Sequence, residues 1–232
     1  MKKFKPLIII ILIIVLLGGA GTISYFVYED AYFFSTEDAQ VTANMITITP
    51  EVTGKVTSWD IKEGDTVKSG QILGHQDISS LVTNSSIDPR TLNSSADAIA
   101  SKANIKSPID GKVITSNVVK GEVISPGMET ATIADTSNIY IKANIEETDI
   151  FRIKLGQKVD ISIDAYPGKS FTGYVSSIGQ ATQNAFSSSP TLNTSGDFTK
   201  VTQLIPVKIS IINAEDLTMM PGMNATVKIH VK

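Results

Sequence analysis

Hydrophobic positions along the chain change their spacing three times. Residues 7–28 form one uncharged run in which fourteen of 22 residues are Leu, Ile, Val or Phe. As a helix this run measures about 33 Å, against about 30 Å of bilayer hydrocarbon. Each such residue favours insertion by about 0.3–0.6 kcal/mol. A cleaved signal peptide has an apolar core of about 7–15 residues ending at a small-residue site. Here Gly18, Gly19, Ala20 and Gly21 are followed by Ile23, Tyr25, Phe26 and Val27. The pattern therefore predicts a retained transmembrane helix at 7–28, behind a basic stretch at 1–6 that carries Lys2, Lys3 and Lys5. The positive-inside rule places that stretch in the cytoplasm and residues 31–232 outside a cytoplasmic membrane crossed once.

Beyond the helix the apolar positions thin out and alternate, as in strands. Residues 29–50 read as a linker and a membrane-proximal strand. Residues 52–73 are VTGKVTSWDIKEGDTVKSGQIL, and residues 109–130 are IDGKVITSNVVKGEVISPGMET. At one constant offset of 57, Gly54 matches Gly111, Lys55 matches Lys112 and Val56 matches Val113. Gly64 then matches Gly121, Val67 matches Ile124, and Gly70 matches Gly127. One register holding three glycine pairs marks an internal repeat. Each copy reads as short strands joined by tight turns. Neither copy can bury its apolar face alone. The halves at 51–77 and 105–136 are thus expected to close into one flattened β-sandwich, with Gly54, Gly64, Gly70, Gly111, Gly121 and Gly127 as its structural turn glycines.

Between the halves, 78–104 is a 27-residue insert with twelve Ser, Thr or Asn residues and a central Pro89. That composition predicts a flexible, solvated loop with one short helix near 92–103. After the second half, Ile139, Ile141, Ala143 and Ile145 alternate as a strand. Ile150, Phe151 and Ile153 then fall at roughly helical spacing before Gly156, and Val159, Ile161 and Ile163 alternate again. Further strands are expected at 171–178, 201–212 and 225–231. A Ser/Thr/Asn-rich loop at 180–200 carries Phe186 and Phe198, the candidate partner contacts, with Phe198 reading equally as a buried barrel residue. This part reads as a small β-barrel at 137–214 with one short helix, followed by a C-terminal strand at 215–232 that returns toward the membrane. The fold class is mainly β behind one transmembrane helix, with the barrel near the membrane and the sandwich beyond it.

Composition narrows the function more than it extends it. Residues 31–232 hold 17 basic and 21 acidic side chains, a mildly acidic surface that excludes a nucleic-acid partner. Cysteine is absent, so there is no disulfide framework. His75 and His230 stand alone at strand positions, where no metal-ligand cluster can form around them. No Gly-x-Ser-x-Gly and no phosphate-binding glycine loop occurs. The carboxylate pairs Glu37–Asp38 and Glu146–Glu147 lie beside turns and strand starts, as solvated residues do. A lipoyl or biotinyl carrier needs a modifiable lysine at the turn joining its halves, and here the insert replaces that turn, with Lys102 and Lys106 off any hairpin tip. We expect neither an enzyme nor a cofactor. A membrane-anchored sensor or wall-binding ectodomain is the competing class.

The motifs decide between them. Residues 36–44, TEDAQVTAN, are similar to a motif that follows the anchor in EmrA-like chains, with Glu37 in place of the commoner Asp. The glycine-matched halves and Ser107-Pro108-Ile109-Asp110-Gly111 resemble the split lipoyl-like domain, or barrel-sandwich hybrid, of HlyD-type membrane fusion (periplasmic adaptor) proteins. Glu146-Glu147-x-Asp149-Ile150 followed by Gly156-Gln157-x-Val159 is similar to their barrel entry. Residues 186–206, and Met220-Pro221-Gly222-Met223 before the last strand, resemble the EmrA-like multidrug branch. The resemblance covers 1–77 and 105–232. It implies an adaptor that binds an inner-membrane exporter, of major-facilitator type ahead of ABC type, forms homo-oligomers, and extends an efflux path outside the membrane. Where relatives carry a long α-helical hairpin, this chain has only the insert. Two helices cut from it would reach about 20 Å, so docking to an outer-membrane channel is not expected.

Overall fold

The computed structural model describes residues 5–79, 101–186, 202–212 and 218–232. A single long helix, α1 (Lys5–Tyr32), opens it. Its segment Leu12–Tyr32 is long and apolar enough to cross a membrane, and its large apolar side chains are exposed. An exposed helix that is apolar on all sides fits lipid as its solvent.

Twelve strands follow among the described residues. They are β1 (Phe33–Ile48), β2 (Gly54–Trp59), β3 (Thr66–Val67), β4 (Ile72–Asp77), β5 (Asn104–Lys106) and β6 (Gly111–Ser116). The remainder are β7 (Val123–Ile124), β8 (Ala131–Glu146), β9 (Lys158–Ile163), β10 (Ser170–Ile178), β11 (Leu204–Ile212) and β12 (Asn224–His230). They fall into two compact units, one made of Met1–Thr42 with Tyr140–Lys232, the other of Ala43–Ile139.

The first unit is a six-stranded antiparallel barrel in the order β1-β12-β9-β10-β11-β8, closed by a β1–β8 pairing. Its core follows the two-residue period of strands. Val159, Ile161 and Ile163 of β9 point inward, with Ala225, Val227 and Ile229 of β12, Ile141, Ala143 and Ile145 of β8, and Val207 and Ile209 of β11. Sequence spacing placed the barrel at 137–214 and the last strand apart from it. In the structure β12 lies between β1 and β9, so residues from both chain ends complete the ring. The short helix expected before Gly156 is only a 3₁₀ turn, Ile150–Arg152. Ile153 turns into the core while Phe151 and Leu155 face out, so these apolar residues share no helical face.

The second unit obeys the 57-residue offset atom by atom. The Gly64 N–H donates to Val113 O, and the Gly121 N–H donates to Val56 O, both at 2.8 Å. Val113 N–H reaches Asp65 O at 2.9 Å, and Val56 N–H reaches Glu122 O at 2.8 Å. Lys55 faces Asp77 across β2–β4, just as Lys112 faces Ala134 across β6–β8. The short strands cross over: β7 of the second half pairs with β2 of the first, and β3 of the first pairs with β6 of the second. A pseudo-two-fold axis therefore relates two halves that each donate a strand to the other. Trp59 and Ser116, themselves 57 apart, meet in a 2.8 Å hydrogen bond from the indole N–H to the hydroxyl. Val56 and Val113, Ile61 and Val118, and Val67 and Ile124 fill one shared core. The symmetry breaks where Gln76 replaces the counterpart of Ile133. Buried Gln76 donates to Val52 O and Lys102 O, both at 3.2 Å, at the root of the insert.

Candidate functional site

Strand direction fixes what gathers where α1 meets the barrel. Phe33, the first residue of β1, pairs with His230 near the end of β12, and Ile229 pairs with Val159 near the start of β9. Lys158 pairs with Tyr174, Ile178 with Val207, and Leu204 with Glu146. One end of the barrel thus carries the exit of α1, the β8–β9 turn, both described roots of the β10–β11 segment, and the C-terminus.

Charged side chains weld the helix to this end. The Arg152 guanidinium donates to the Asp30 and Phe33 backbone oxygens, the latter at 3.2 Å, and pairs with the Asp30 carboxylate at 3.4 Å. The Asp30 carbonyl is one of the orphan acceptors of the helix C-terminus, where a cation is also favoured by the helix dipole. Lys228 donates to Glu29 at 2.7 Å and stacks its ammonium over Phe33 at 4.4 Å. The Glu29 hydrogen bond raises the Lys228 pKa above its ordinary value. Phe33 meets the His230 ring edge-on at 4.9 Å, and His230 Nε2 lies 2.7 Å from Asp160. Burial is the largest influence on Asp160 and works against its charge. His230 and Lys158 together outweigh it and hold the carboxyl below its usual range.

A second network ties one of the sequence motifs to the root of the 180–200 loop. Asn144 on β8 donates to the Asp38 carboxylate of the TEDAQVTAN segment at 2.9 Å, and its amide oxygen accepts from Gln183. Gln183 opens a 3₁₀ turn, Gln183–Phe186, at the root of the predicted contact loop. That root therefore starts from the end of the barrel where α1 enters. Phe186 closes this turn, whereas Phe198 lies outside the described residues, as does most of the 78–104 insert. No long helical hairpin stands among the described residues.

The six glycines do two different jobs. Gly64, Gly70, Gly121 and Gly127 have φ of 90°, 80°, 96° and 92° and shape turns. Gly54 and Gly111 instead open β2 and β6, where a Cβ would stand 2.8 Å from Asp77 O in one case and overlap Ala134 O in the other. Close backbone approach, rather than turn geometry, requires glycine there. His75 Nδ1 sits 2.6 Å from the Asn104 side-chain oxygen. No cluster of His, Asp and Glu able to hold a metal occurs among the described residues. Sequence reasoning missed Arg152 and Lys228. Arg152 had a usable signal, since it and Arg90 are the only arginines in a lysine-rich chain.

Comparison with known proteins bears on both units. The family model described as "RND MFP, barrel-sandwich hybrid domain" matches residues 44–136, and that for the "YknX-like beta-barrel domain" matches 139–229. The chain is 38% identical over 205 residues to "Putative efflux system component YhbJ" of Bacillus subtilis (strain 168), covering 87% of this chain and 81% of that protein. It is 34% identical over 131 residues to "Colistin resistance protein EmrA" of Acinetobacter baumannii, covering 56% of this chain but 37% of that protein. Among solved structures it resembles the membrane fusion protein Spr0693 of Streptococcus pneumoniae R6. That match has a TM-score of 0.60 at 19% identity, over 86% of this chain and 99% of the other.

Proposed function

The chain belongs to the membrane fusion (adaptor) family of efflux proteins, in its EmrA-like branch, and we propose that it seats on an exporter in the cytoplasmic membrane and extends the export path outward. In this reading α1 spans the bilayer once with residues 1–6 in the cytoplasm. The partner is an inner-membrane exporter, with the major-facilitator type that the resemblance implies ahead of the ABC type. The chain works as a homo-oligomer and moves drug-like compounds, as the names of its relatives suggest for them.

One observation carries this reading. The exit of α1, the Arg152 turn and the root of the 180–200 loop all lie at one end of the barrel, which is the end an integral-membrane partner would meet. We assign the loop, with Phe186 and Phe198, to contact with the exporter or a neighbouring subunit. An adaptor also needs no reactive site, only shaped surfaces held rigidly, and the two hydrogen-bonded networks supply that rigidity.

The test is a mild cross-link and detergent pull-down of the tagged full-length chain from native membranes, read by mass spectrometry. Recovery of a polytopic exporter is expected, and its family identifies the energy source. Repeated recovery of the chain alone, or with wall components only, sinks the proposal in favour of a sensor or wall-binding role.

A further inference from the structure

The β8–β9 turn exposes two large apolar side chains on a rigid frame. Phe151 is 75% exposed and Leu155 is 66% exposed, while Ile153 between them is 4% exposed and plugs the barrel core. The frame is held on every side. The Gln157 side chain accepts from Lys154 N–H at 2.8 Å and donates to Arg152 O at 3.1 Å. Gly156 N–H donates to Val175 O at 2.8 Å, and Val175 N–H donates to Gln157 O at 3.0 Å. Isolated exposed apolar residues are ordinary. Two that flank a buried anchor on a turn this well fixed, at the mouth of a membrane helix, have a definite address.

That address follows from Arg152. Its guanidinium is bonded to the backbone at Asp30 and Phe33, so the turn is pinned to the last residues of α1. Tyr25, Tyr28 and Tyr32 cluster on the same end of the helix, with Tyr28 and Tyr32 stacked at 4.4 Å. Tyrosines mark the level of lipid headgroups, and the headgroup layer is about 5–7 Å thick on each side of the hydrocarbon. Phe151 is one residue from Arg152, about 3.8 Å along the backbone. Lys154, between the two apolar side chains, is exposed and can reach phosphate while its stem lies along lipid.

We infer that Phe151 and Leu155 are a second membrane contact, seated at the headgroup–acyl boundary beside α1 and fixing the tilt of the barrel over the bilayer. The inference rests on the reading that α1 spans the membrane. The occupant is lipid because the surface is continuous with the exit of the helix and shares its depth.

The absence of cysteine makes the test clean. Single cysteines at Phe151→Cys, Leu155→Cys, Ile14→Cys and Val123→Cys in the full-length chain are spin-labelled and reconstituted into phosphatidylcholine–phosphatidylglycerol vesicles. Collision rates with oxygen and with a water-soluble nickel chelate then give depth, and an unchanged melting temperature of each labelled chain confirms the fold. The expected result is an Ile14 label deep in hydrocarbon and a Val123 label in water. Labels at 151 and 155 should be shallow, with nickel access at least fivefold below that at 123 and oxygen access above it. If 151 and 155 are as nickel-accessible as 123 while 14 is in lipid, the second contact is overturned and the anchor stands. If 151 and 155 are shielded from both reagents, a protein surface covers them and the lipid assignment is overturned. If 14 itself is aqueous, the anchor reading falls and the inference goes with it.

Discussion

Gly111 and Gly121 sit ten residues apart in the same half, yet resist a methyl group for different reasons. A Cβ on Gly111 meets the immovable backbone carbonyl of Ala134, whereas Gly121 has open space but a φ of 96°. Overpacking against backbone costs about 1–3 kcal/mol, and a left-handed alanine costs about 1–2 kcal/mol. With the Ala134 carbonyl overlapped outright, Gly111→Ala should lower the melting temperature of the full chain in detergent further than Gly121→Ala. The glycine pattern was legible in the sequence because spacing alone reveals a repeat. Which glycines turn the chain and which let strands touch was not, because that depends on a partner 23 residues away in each half. Asp160 supports a pH prediction with a definite sign. Its carboxyl is held below the usual value, so its stabilisation is full above the unfolded carboxyl range of about 3.9 and is lost as pH falls through the folded value. Asp160→Asn should melt earlier than the parent at pH 6, and the gap should close below about pH 4. A gap that stays constant with pH would mean that the side chain acts by packing alone.

At the scale of elements, the Arg152 turn and the exchanged strands matter most. Arg152→Ala frees two carbonyls and a carboxylate at the end of the helix, and charge-assisted bonds of this kind are worth about 1.5–3 kcal/mol each when buried and less here, where Asp30 is exposed. A loss of about 1–2 kcal/mol by thermal unfolding is expected. Lys at 152 should not restore it, because a single ammonium cannot bridge both carbonyls and the carboxylate. The exchange of β3 and β7 predicts that a protease site placed between Ser79 and Ser101 can be cut without parting the halves, since each holds a strand of the other. The fragments should co-elute on size exclusion, and separation at neutral pH without denaturant would refute the exchange. Periodicity displayed nearly every strand, but pairing between strands is set by contacts distant in sequence. It also suggested a helix before Gly156, and the structure has a 3₁₀ turn there because barrel closure draws Ile153 inward.

For the whole molecule, a barrel built from 33–42 and 140–230 makes the exit of α1 and the end of the chain neighbours. The motif at 36–44, the entry at 146–159 and the loop root at 183–186, scattered in sequence, are thereby brought into one unit. The resemblance of 36–44 to EmrA-like chains and of 146–159 to the barrel entry of membrane fusion proteins was readable beforehand. The Asp38–Asn144–Gln183 relay that joins 36–44 to the loop root was not, since no local pattern encodes it. Phe186→Ala with Phe198→Ala should reduce recovery of the exporter in the pull-down at least severalfold, with melting of the purified chain unchanged. Equal recovery would remove the loop from the interface.

The two-fold relation within Ala43–Ile139 also speaks to ancestry. Two copies in register, each lending its short strand to the other, have the geometry of an ancient homodimer of half-length chains fused head to tail. The insert then lies at the splice joint between them. Lengthening a loop costs only about 0.6 kcal/mol per doubling. Such a joint is where the chain could be lengthened or trimmed at small cost to the core shared by the two halves.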